Sequence, residues 1–262
     1  IRFKKLEILI ILIAFLFAYT AETQAQPPFR RTINVAPNLI TDDDPTAFVH
    51  LDKAGRGERK MYDRRENRRV TLEAILFFAT FDDEKTIEVR VNPEFDSKSA
   101  FNETEKYLKV IGQLPAALRN GVKTVSIHKG DSAFGGGNNN LLIHTDRGEK
   151  HISNGILAET FIHEATHASL DPDHASNPKW LAAQKKDPEF VCEYAKKNPN
   201  REDVAASFIL YLALRFRPDR IDEKTRDLIV STMPNRIAYF DNVEFDLHPL
   251  KTAEQENSPD GK

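Results

Sequence analysis

The residues with the clearest chemical potential are five consecutive ones, His163-Glu164-Ala165-Thr166-His167. Side chains four positions apart on an α-helix share one face, so His163 and His167 can direct ring nitrogens to one metal ion. Glu164 then lies beside that ion, where a carboxylate can take a proton from an activated water. The spacing predicts one Zn²⁺ per chain, bound by His163 and His167, with Glu164 as the general base.

These residues need a helix to position them, and the flanking sequence predicts one. Residues 155–162 lead into the motif, with Ser153 or Asn154 as the expected N-cap residue. Apolar residues recur near helical spacing, and the Leu170-Asp171-Pro172 stretch ends the run. Packing of such a helix would fix the rotamers of both histidines.

A catalytic zinc site needs a third protein ligand, and three residues are candidates. Glu202 stands at the start of the next strongly apolar helical segment, while His174 and Asp173 follow the motif in a turn. Asp173 lies six residues after His167, the metzincin position. That pattern also requires glycine three residues after the second histidine, where this chain has Leu170, which argues against it.

The rest of the chain predicts a mixed α+β fold. Period-two and turn patterns predict strands at 70–81, 86–91, 122–127 and 141–144, with a hairpin turn at 82–85. Helical patterns predict helices at 99–111, 204–216 and 222–233. The charged stretch 56–69 is expected to be a solvated loop or turn, with a basic recognition patch as the alternative. The glycine-rich stretch 134–140 is expected to form a rim beside a cleft, and the 141–144 strand to be the sheet edge that pairs with an extended substrate.

Composition narrows the function classes. Lysine and arginine total 37 against 40 aspartates and glutamates, a net charge of −3, which gives no sign of nucleic-acid or stable membrane association. The single cysteine, Cys192, excludes an internal disulfide and is expected to be an ordinary buried residue. The N-terminal basic and apolar run is typical of a signal peptide, so secretion is expected.

Four segments follow from these features. We expect a signal peptide at 1–25, an extended lead-in at 26–69, a catalytic domain at 70–250 and a flexible tail at 251–262.

The chain also resembles a known group of peptidases. The resemblance rests on the 163–167 motif, the segment around Trp180, Tyr194-Ala195, and Glu202-Asp203-Val204-Ala205. These features are similar to the zinc-dependent catalytic domain of the anthrax lethal factor-type peptidases, within the gluzincin branch of the zincins. The similarity covers roughly residues 120–216 and implies a zincin-like domain, with a mixed twisted sheet, an active-site helix and C-terminal helices.

The resemblance also assigns roles. It implies that Glu202 is the third zinc ligand and that Tyr194, with an offset of about one residue, stabilises the tetrahedral intermediate. One departure is Ala206, where the group has an acidic residue that orients a metal-bound histidine. Asp171 or Asp203 could take its place, and losing such a partner typically costs about 10–100-fold in affinity or activity.

The sequence therefore predicts a secreted zinc metalloendopeptidase acting on a peptide or protein. The alternative is a weakly active or inactive zincin-fold binding module, which Ala206 favours. A structural protein without metal would leave the motif, the helix and the downstream glutamate unexplained.

Overall fold

The structure is a computed structural model that describes residues 26–250. The segments 1–25 and 251–262, for which the sequence predicts a signal peptide and a flexible tail, lie outside the described residues. Residues 26–250 adopt a mixed α+β fold, with a six-stranded twisted sheet and ten α-helices. Within this range, no helix is both long enough and apolar enough to cross a bilayer.

The sheet is mixed, with the strand order β1-β2-β3-β4-β6-β5. Its strands are β1 (Phe48–Asp63), β2 (Arg68–Phe81), β3 (Thr86–Val91), β4 (Thr124–His128), β5 (Gly135–Gly137) and β6 (Asn140–His144). The pairs β3–β4 and β4–β6 are parallel, whereas β1–β2, β2–β3 and β5–β6 are antiparallel. Strand β5 is therefore an edge of the sheet.

The ten α-helices lie between residues 97 and 241, after the first three strands. They are α1 (Ser97–Gln113), α2 (Ala116–Arg119), α3 (Thr145–Ser153), α4 (Leu157–Ser169), α5 (Asp171–His174), α6 (Pro178–Lys186), α7 (Glu193–Lys197), α8 (Pro199–Phe216), α9 (Glu223–Thr232) and α10 (Pro234–Asp241). Two short 3₁₀ helices lie at Thr32–Asn34 and Pro218–Arg220.

The predicted elements with strong periodicity are confirmed. The strands expected at 70–81, 86–91, 122–127 and 141–144 correspond to β2, β3, β4 and β6, and the helices at 99–111, 204–216 and 222–233 to α1, α8 and α9. Asp96 explains where α1 begins, because its carboxylate accepts hydrogen bonds from the backbone amides of Lys98 and Ser99.

The solvated loop or turn expected at 56–69 is wrong for all but residues 64–67. Most of that stretch belongs to β1 and the start of β2, and only residues 64–67 form the turn between them. The exposed part of this hairpin packs against little else, so charged residues lie on both of its faces. The alternation of apolar and polar residues that marks a half-buried strand is therefore weak. The sheet consequently starts at Phe48, well before residue 70.

The main core lies between the sheet and the helices. Strands β2, β3, β4 and β6 contribute fully buried aliphatic side chains, and α1, α4 and α8 cover them. A small second cluster of Met61, Ala74 and Leu76 lies on the other side of the β1–β2 hairpin. The central strands are thus fixed in position.

The lead-in segment packs against this core. Leu39 and Ile40 are buried, and the backbone amide of Leu39 donates a hydrogen bond to the Glu159 carboxylate in α4. Asp44 pairs with Arg217 and Arg220 beyond the end of α8. Residues 26–47 are therefore tied both to the motif helix and to the helix that carries Glu202.

Glu159 generates a stability prediction. Burial raises the pKa of Glu159 to about 7, well above its usual 4.5, even though backbone amides donate to it. The carboxyl is neutral in both the folded and unfolded states well below pH 4.5. Between about pH 4.5 and about pH 7, the carboxyl ionises in the unfolded chain but stays protonated in the folded one. The free energy of unfolding therefore falls by about 3 kcal/mol over this range.

We expect Glu159→Gln to remove this penalty, because the amide oxygen keeps the bond from Leu39 without a charge. Denaturant unfolding of wild type and variant near pH 5 and near pH 8 measures the effect. The free energy of unfolding of the variant, relative to wild type, should be about 2–3 kcal/mol higher near pH 8 than near pH 5. Glu73→Gln, at an exposed site in β2, controls for loss of one negative charge. An equal difference at both pH values would contradict the prediction.

Candidate metal centre

Helix α4 carries the H-E-x-x-H residues through the middle of the structure. It begins after Ile156 with no side-chain cap, so the predicted caps are wrong: Ser153 ends α3, and Asn154 is the residue after it. Gly155 turns the chain between the two helices at a φ of +62°, a conformation that glycine adopts without strain. Phe161, Ile162 and Ala165 are fully buried, and this anchors α4 against the sheet.

The strand next to the motif is the glycine-rich one. The sequence predicts that the 141–144 strand is the edge of the sheet. That prediction is wrong, because β5 pairs with the outer side of β6 and is itself the edge. A Cβ atom on Gly136 would lie 1.8 Å from the backbone oxygen of Glu164, so only glycine allows this approach of β5 to α4. The sheet edge therefore runs directly beside the motif.

Three potential ligand side chains meet where α4 packs against α8. Glu202 lies in the first turn of α8, which packs along α4. Ligand atoms of His163, His167 and Glu202 all lie within 4.8 Å of one another, an arrangement that could hold a metal ion. The imidazole rings of the two histidines are 4.9 Å apart and nearly perpendicular, at 89°.

The distances within this group are informative. Oε2 of Glu202 lies 3.5 Å from Nε2 of His163 and 3.4 Å from Nε2 of His167. A charge-assisted hydrogen bond would be shorter, at about 2.7–2.9 Å. Two ligands about 2.0–2.1 Å from a tetrahedral zinc are roughly 3.3 Å apart. The separations therefore match three ligands of one ion better than a set of direct hydrogen bonds.

The two histidines differ in the support of their second ring nitrogen. Nδ1 of His167 lies 2.6 Å from Oδ2 of Asp171, one helical turn later. Nδ1 of His163 is buried and has no hydrogen-bond partner among residues 26–250. Ala206, one turn after Glu202 and on the same cavity wall, has no side chain to offer one. Asp171 thus fulfils for His167 the orienting role that Ala206 cannot fill for His163.

Asp203, the other residue considered for that role, is engaged elsewhere. It is fully buried, pairs with Arg236 and accepts a hydrogen bond from Gln184. Arg236 also pairs with Asp187, so these groups form a buried network behind α8. Asp203 therefore anchors α8 and does not orient a histidine.

The electrostatics of the centre are strongly coupled. Burial lowers the pKa of His167, but the hydrogen bond to Asp171 and the nearby Glu202 carboxylate outweigh it and raise that pKa to about 10. Burial raises the pKa of Glu202, yet the two histidines outweigh it and hold that pKa well below its usual range. Without a metal, His167 carries a proton at pH 7, and a metal cation must displace that proton to bind.

A cleft of about 440 Å³ opens onto these groups. Glu164 and Tyr194 line it together with His163, His167 and Glu202. The side chain of Tyr194 is 55% exposed, and the negative charge of Glu202 raises the pKa of its hydroxyl. The tyrosine hydroxyl is thus a neutral donor at pH 7, close to the carboxylate.

The other candidates lie outside the centre. His174 hydrogen-bonds through Nδ1 to the Tyr239 hydroxyl and faces a different cavity, and Asp173 is exposed on α5. Cys192 is buried, as expected, and its sulfur accepts a hydrogen bond from the amide of Ala195. Trp180 is a fully buried packing residue.

Comparison with known protein families, with curated proteins and with solved structures finds no match to this chain.

The close approach of β5 to α4 generates a packing prediction. Gly136→Ala places a methyl group into the Glu164 backbone, so we expect a loss of at least about 2 kcal/mol in stability, as for other overpacked sites. Gly135→Ala is the matched control, because its Cβ would meet only the flexible end of the Arg64 side chain, 2.7 Å away. Thermal unfolding of both variants measures the difference, and equal melting temperatures would refute this account of Gly136.

The bond between His167 and Asp171 generates a metal-binding prediction. Asp171→Asn should lower zinc affinity by about 10–100-fold, because the imidazole loses the carboxylate that orients it and strengthens it as a ligand. Competition against a chromophoric chelator measures the affinity. Asp173→Asn on the same short helix is the control and should bind zinc like the wild type.

The same titration has a pH dependence of known sign. The pKa of His167 is about 10, so protons compete with zinc throughout the neutral range. Wild-type affinity should therefore rise with pH, by up to about tenfold per unit between pH 6 and pH 8. A flat profile, or an unchanged affinity in Asp171→Asn, would contradict the assignment of His167.

Proposed function

We propose that this chain is a zinc-dependent metalloendopeptidase with a zincin-like fold. The observation that carries the proposal is the convergence of two imidazole nitrogens on one carboxylate oxygen, at 3.4 and 3.5 Å, at the wall of an open cleft. Among residues 26–250, these three side chains are the group whose spacing suits a metal ion. Secretion stays a prediction from the sequence of residues 1–25.

The donor set fits catalytic zinc. Two histidines and one glutamate leave one position of a tetrahedral ion open, as catalytic sites require, whereas structural sites are closed by four protein ligands. His163, His167 and Glu202 would hold the ion, and Asp171 would support one of them from behind. A zinc ion bound there would supply Lewis-acid activation of water and of a peptide carbonyl.

The remaining groups support peptide hydrolysis. Glu164 is the residue directly after His163 and lines the same cleft, so its carboxylate can accept a proton from the attacking water and pass it to the leaving amine. The Tyr194 hydroxyl keeps its proton at neutral pH and can donate a hydrogen bond to the oxygen that becomes negative. These are the roles that the resemblance implies for both residues.

The sheet edge supports an extended substrate. Strand β5 pairs with β6 on one side only, and one face of β5 packs on the backbone of α4 at Gly136. A peptide backbone can add to such an edge as a further strand, which would align a peptide bond along the cleft. The fold assignment rests on this arrangement of an antiparallel edge strand, the motif helix beneath it and the ligand-bearing helix α8.

A binding module is the second candidate. The observation that favours it is the unpartnered Nδ1 of His163, because a ligand histidine without an orienting acceptor binds metal less firmly. Such a protein would use the cleft and the edge strand to hold a peptide without cleaving it. Hydrolysis by the purified wild type distinguishes the two.

The decisive variants are Glu164→Gln and Glu202→Ala. The first should keep one zinc per chain while peptide hydrolysis falls by about 10²–10⁴-fold, because the ligands stay and the general base is lost. The second should lose zinc and activity together. Elemental analysis gives the zinc content, and fluorescently labelled casein reports hydrolysis.

Glu193→Gln is the matched control, since Glu193 is exposed on α7, outside the residues that line the cleft. Unchanged hydrolysis by Glu164→Gln would refute the general-base role. Zinc retained by wild type without any hydrolysis would favour the binding module. A wild type without zinc would overturn the metal site itself.

A further inference from the structure

The walls of the cleft carry an excess of positive charge. The residues that line it include five arginines and two glutamates, Glu164 and Glu202. The whole chain, by contrast, has a net charge of −3. The arginines are Arg30, Arg31, Arg64, Arg147 and Arg201. Positive charge is therefore concentrated at this opening, although the protein as a whole is slightly acidic.

Among the residues that the structure describes, three of these arginines have no acidic partner. Arg147 pairs with Asp131, and Arg201 lies 3.4 Å from Glu202. The side chains of Arg30, Arg31 and Arg64 are exposed and make no ion pair or hydrogen bond with any other described residue. An unpaired guanidinium at a cleft is free to form a bidentate bond with a carboxylate of a ligand.

The fold brings these arginines from distant parts of the chain. Phe29 forms a backbone bridge with Cys192, and its amide donates to the carbonyl of Val191, which places Arg30 and Arg31 on one wall. Arg64 reaches the cleft from the β1–β2 turn, and its Nη2 atom lies against Gly135 of the edge strand. Unpaired cations thus lie on two sides of the opening.

The basic lining continues beyond β5. A second cavity of about 260 Å³ shares Arg64 and the β5 glycines with the cleft, and Lys60 and Arg69 line it. Neither of these side chains has an acidic partner among residues 26–250. His151, which also lines the cleft, adds no positive charge, because burial and the nearby Arg147 lower its pKa to about 4.

From this placement we infer that the cleft selects peptides with acidic side chains beside the bond that enters the centre, held by Arg31 and Arg64. The inference rests on the proposed function for the use of the cleft, and it adds the substrate class. A carboxylate on the substrate next to β5 meets Arg64, and one on the opposite side meets Arg31. A lysine at the same place meets like charges and is rejected.

The test separates binding from cleavage. The probes are three fluorescein-labelled peptides of equal length, alternating alanine with glutamate, glutamine or lysine. Fluorescence anisotropy measures their affinity for the zinc-loaded Glu164→Gln chain, and quenched versions of the same peptides report hydrolysis by wild type. The glutamate peptide should bind at least about tenfold more tightly than the glutamine peptide at low salt, and added salt should reduce the difference.

Two variants locate the effect. In Arg31→Gln/Arg64→Gln the preference for glutamate over glutamine should fall below about threefold, and in Arg31→Glu/Arg64→Glu the lysine peptide should bind best. Arg56→Gln/Lys224→Gln removes the same charge from exposed sites outside both cavities and should keep the wild-type preference. Because none of these side chains is buried or paired, the variants should fold like the wild type.

Each outcome has one meaning. Equal affinity for the glutamate and glutamine peptides overturns the inference even if wild type cleaves both, and the proposed function then stands alone. A glutamate preference without hydrolysis overturns the peptidase and keeps an acidic-peptide site. Displacement of the glutamate peptide by an equal concentration of oligothymidylate shows a general polyanion surface and overturns peptide selection.

Discussion

The burial of α4 between the sheet edge and α8 is the constraint on which the rest of the site depends. Two histidines on one helical face can meet a third ligand only if the depth and rotation of their helix are fixed. Phe161 and Ala165 fix the inner face in the core, and Gly136 allows β5 to touch the backbone of Glu164. Helix α8 then brings Glu202 against both imidazoles.

The charges around this centre explain which acidic residue supports it. Asp203 follows Glu202 directly, but the buried Arg236 holds it together with Asp187 on the far side of α8. Asp171 is free for His167 because α5 begins immediately after α4 ends, which places its carboxylate one turn from the ring. Within residues 26–250, His163 has no equivalent partner, so the two histidines are held unequally.

The lead-in segment contributes residues to the wall of the cleft. Its buried residues tie it to α4 and to the end of α8, and its first residues pair with the backbone before α7. That path carries Arg30 and Arg31 to the cleft, where they face Arg64 from the first hairpin. A segment rich in Pro, Asn and Asp thus becomes part of the wall beside the candidate metal centre.

Elements whose pattern is local can be predicted from the amino-acid sequence. The motif helix, the helix bearing Glu202 and four of the six strands follow from periodicities read over a few residues, and the shared helical face of His163 and His167 follows from the helical repeat. Local patterns did not predict the charged β1–β2 hairpin, because its packing is weak. They also did not predict the short helices α3, α6 and α10, because each spans few residues.

The way these elements meet follows from tertiary packing and could not be predicted from local patterns. That packing made β5 the edge in place of the 141–144 strand, chose Glu202 over His174 as the third side chain, and chose Asp171 over Asp203 as the support of His167. It also gathered arginines far apart in the chain around one cleft. The reason is physical: a sequence pattern reports which face of an element is apolar, whereas distances between elements follow from how all the buried faces pack together.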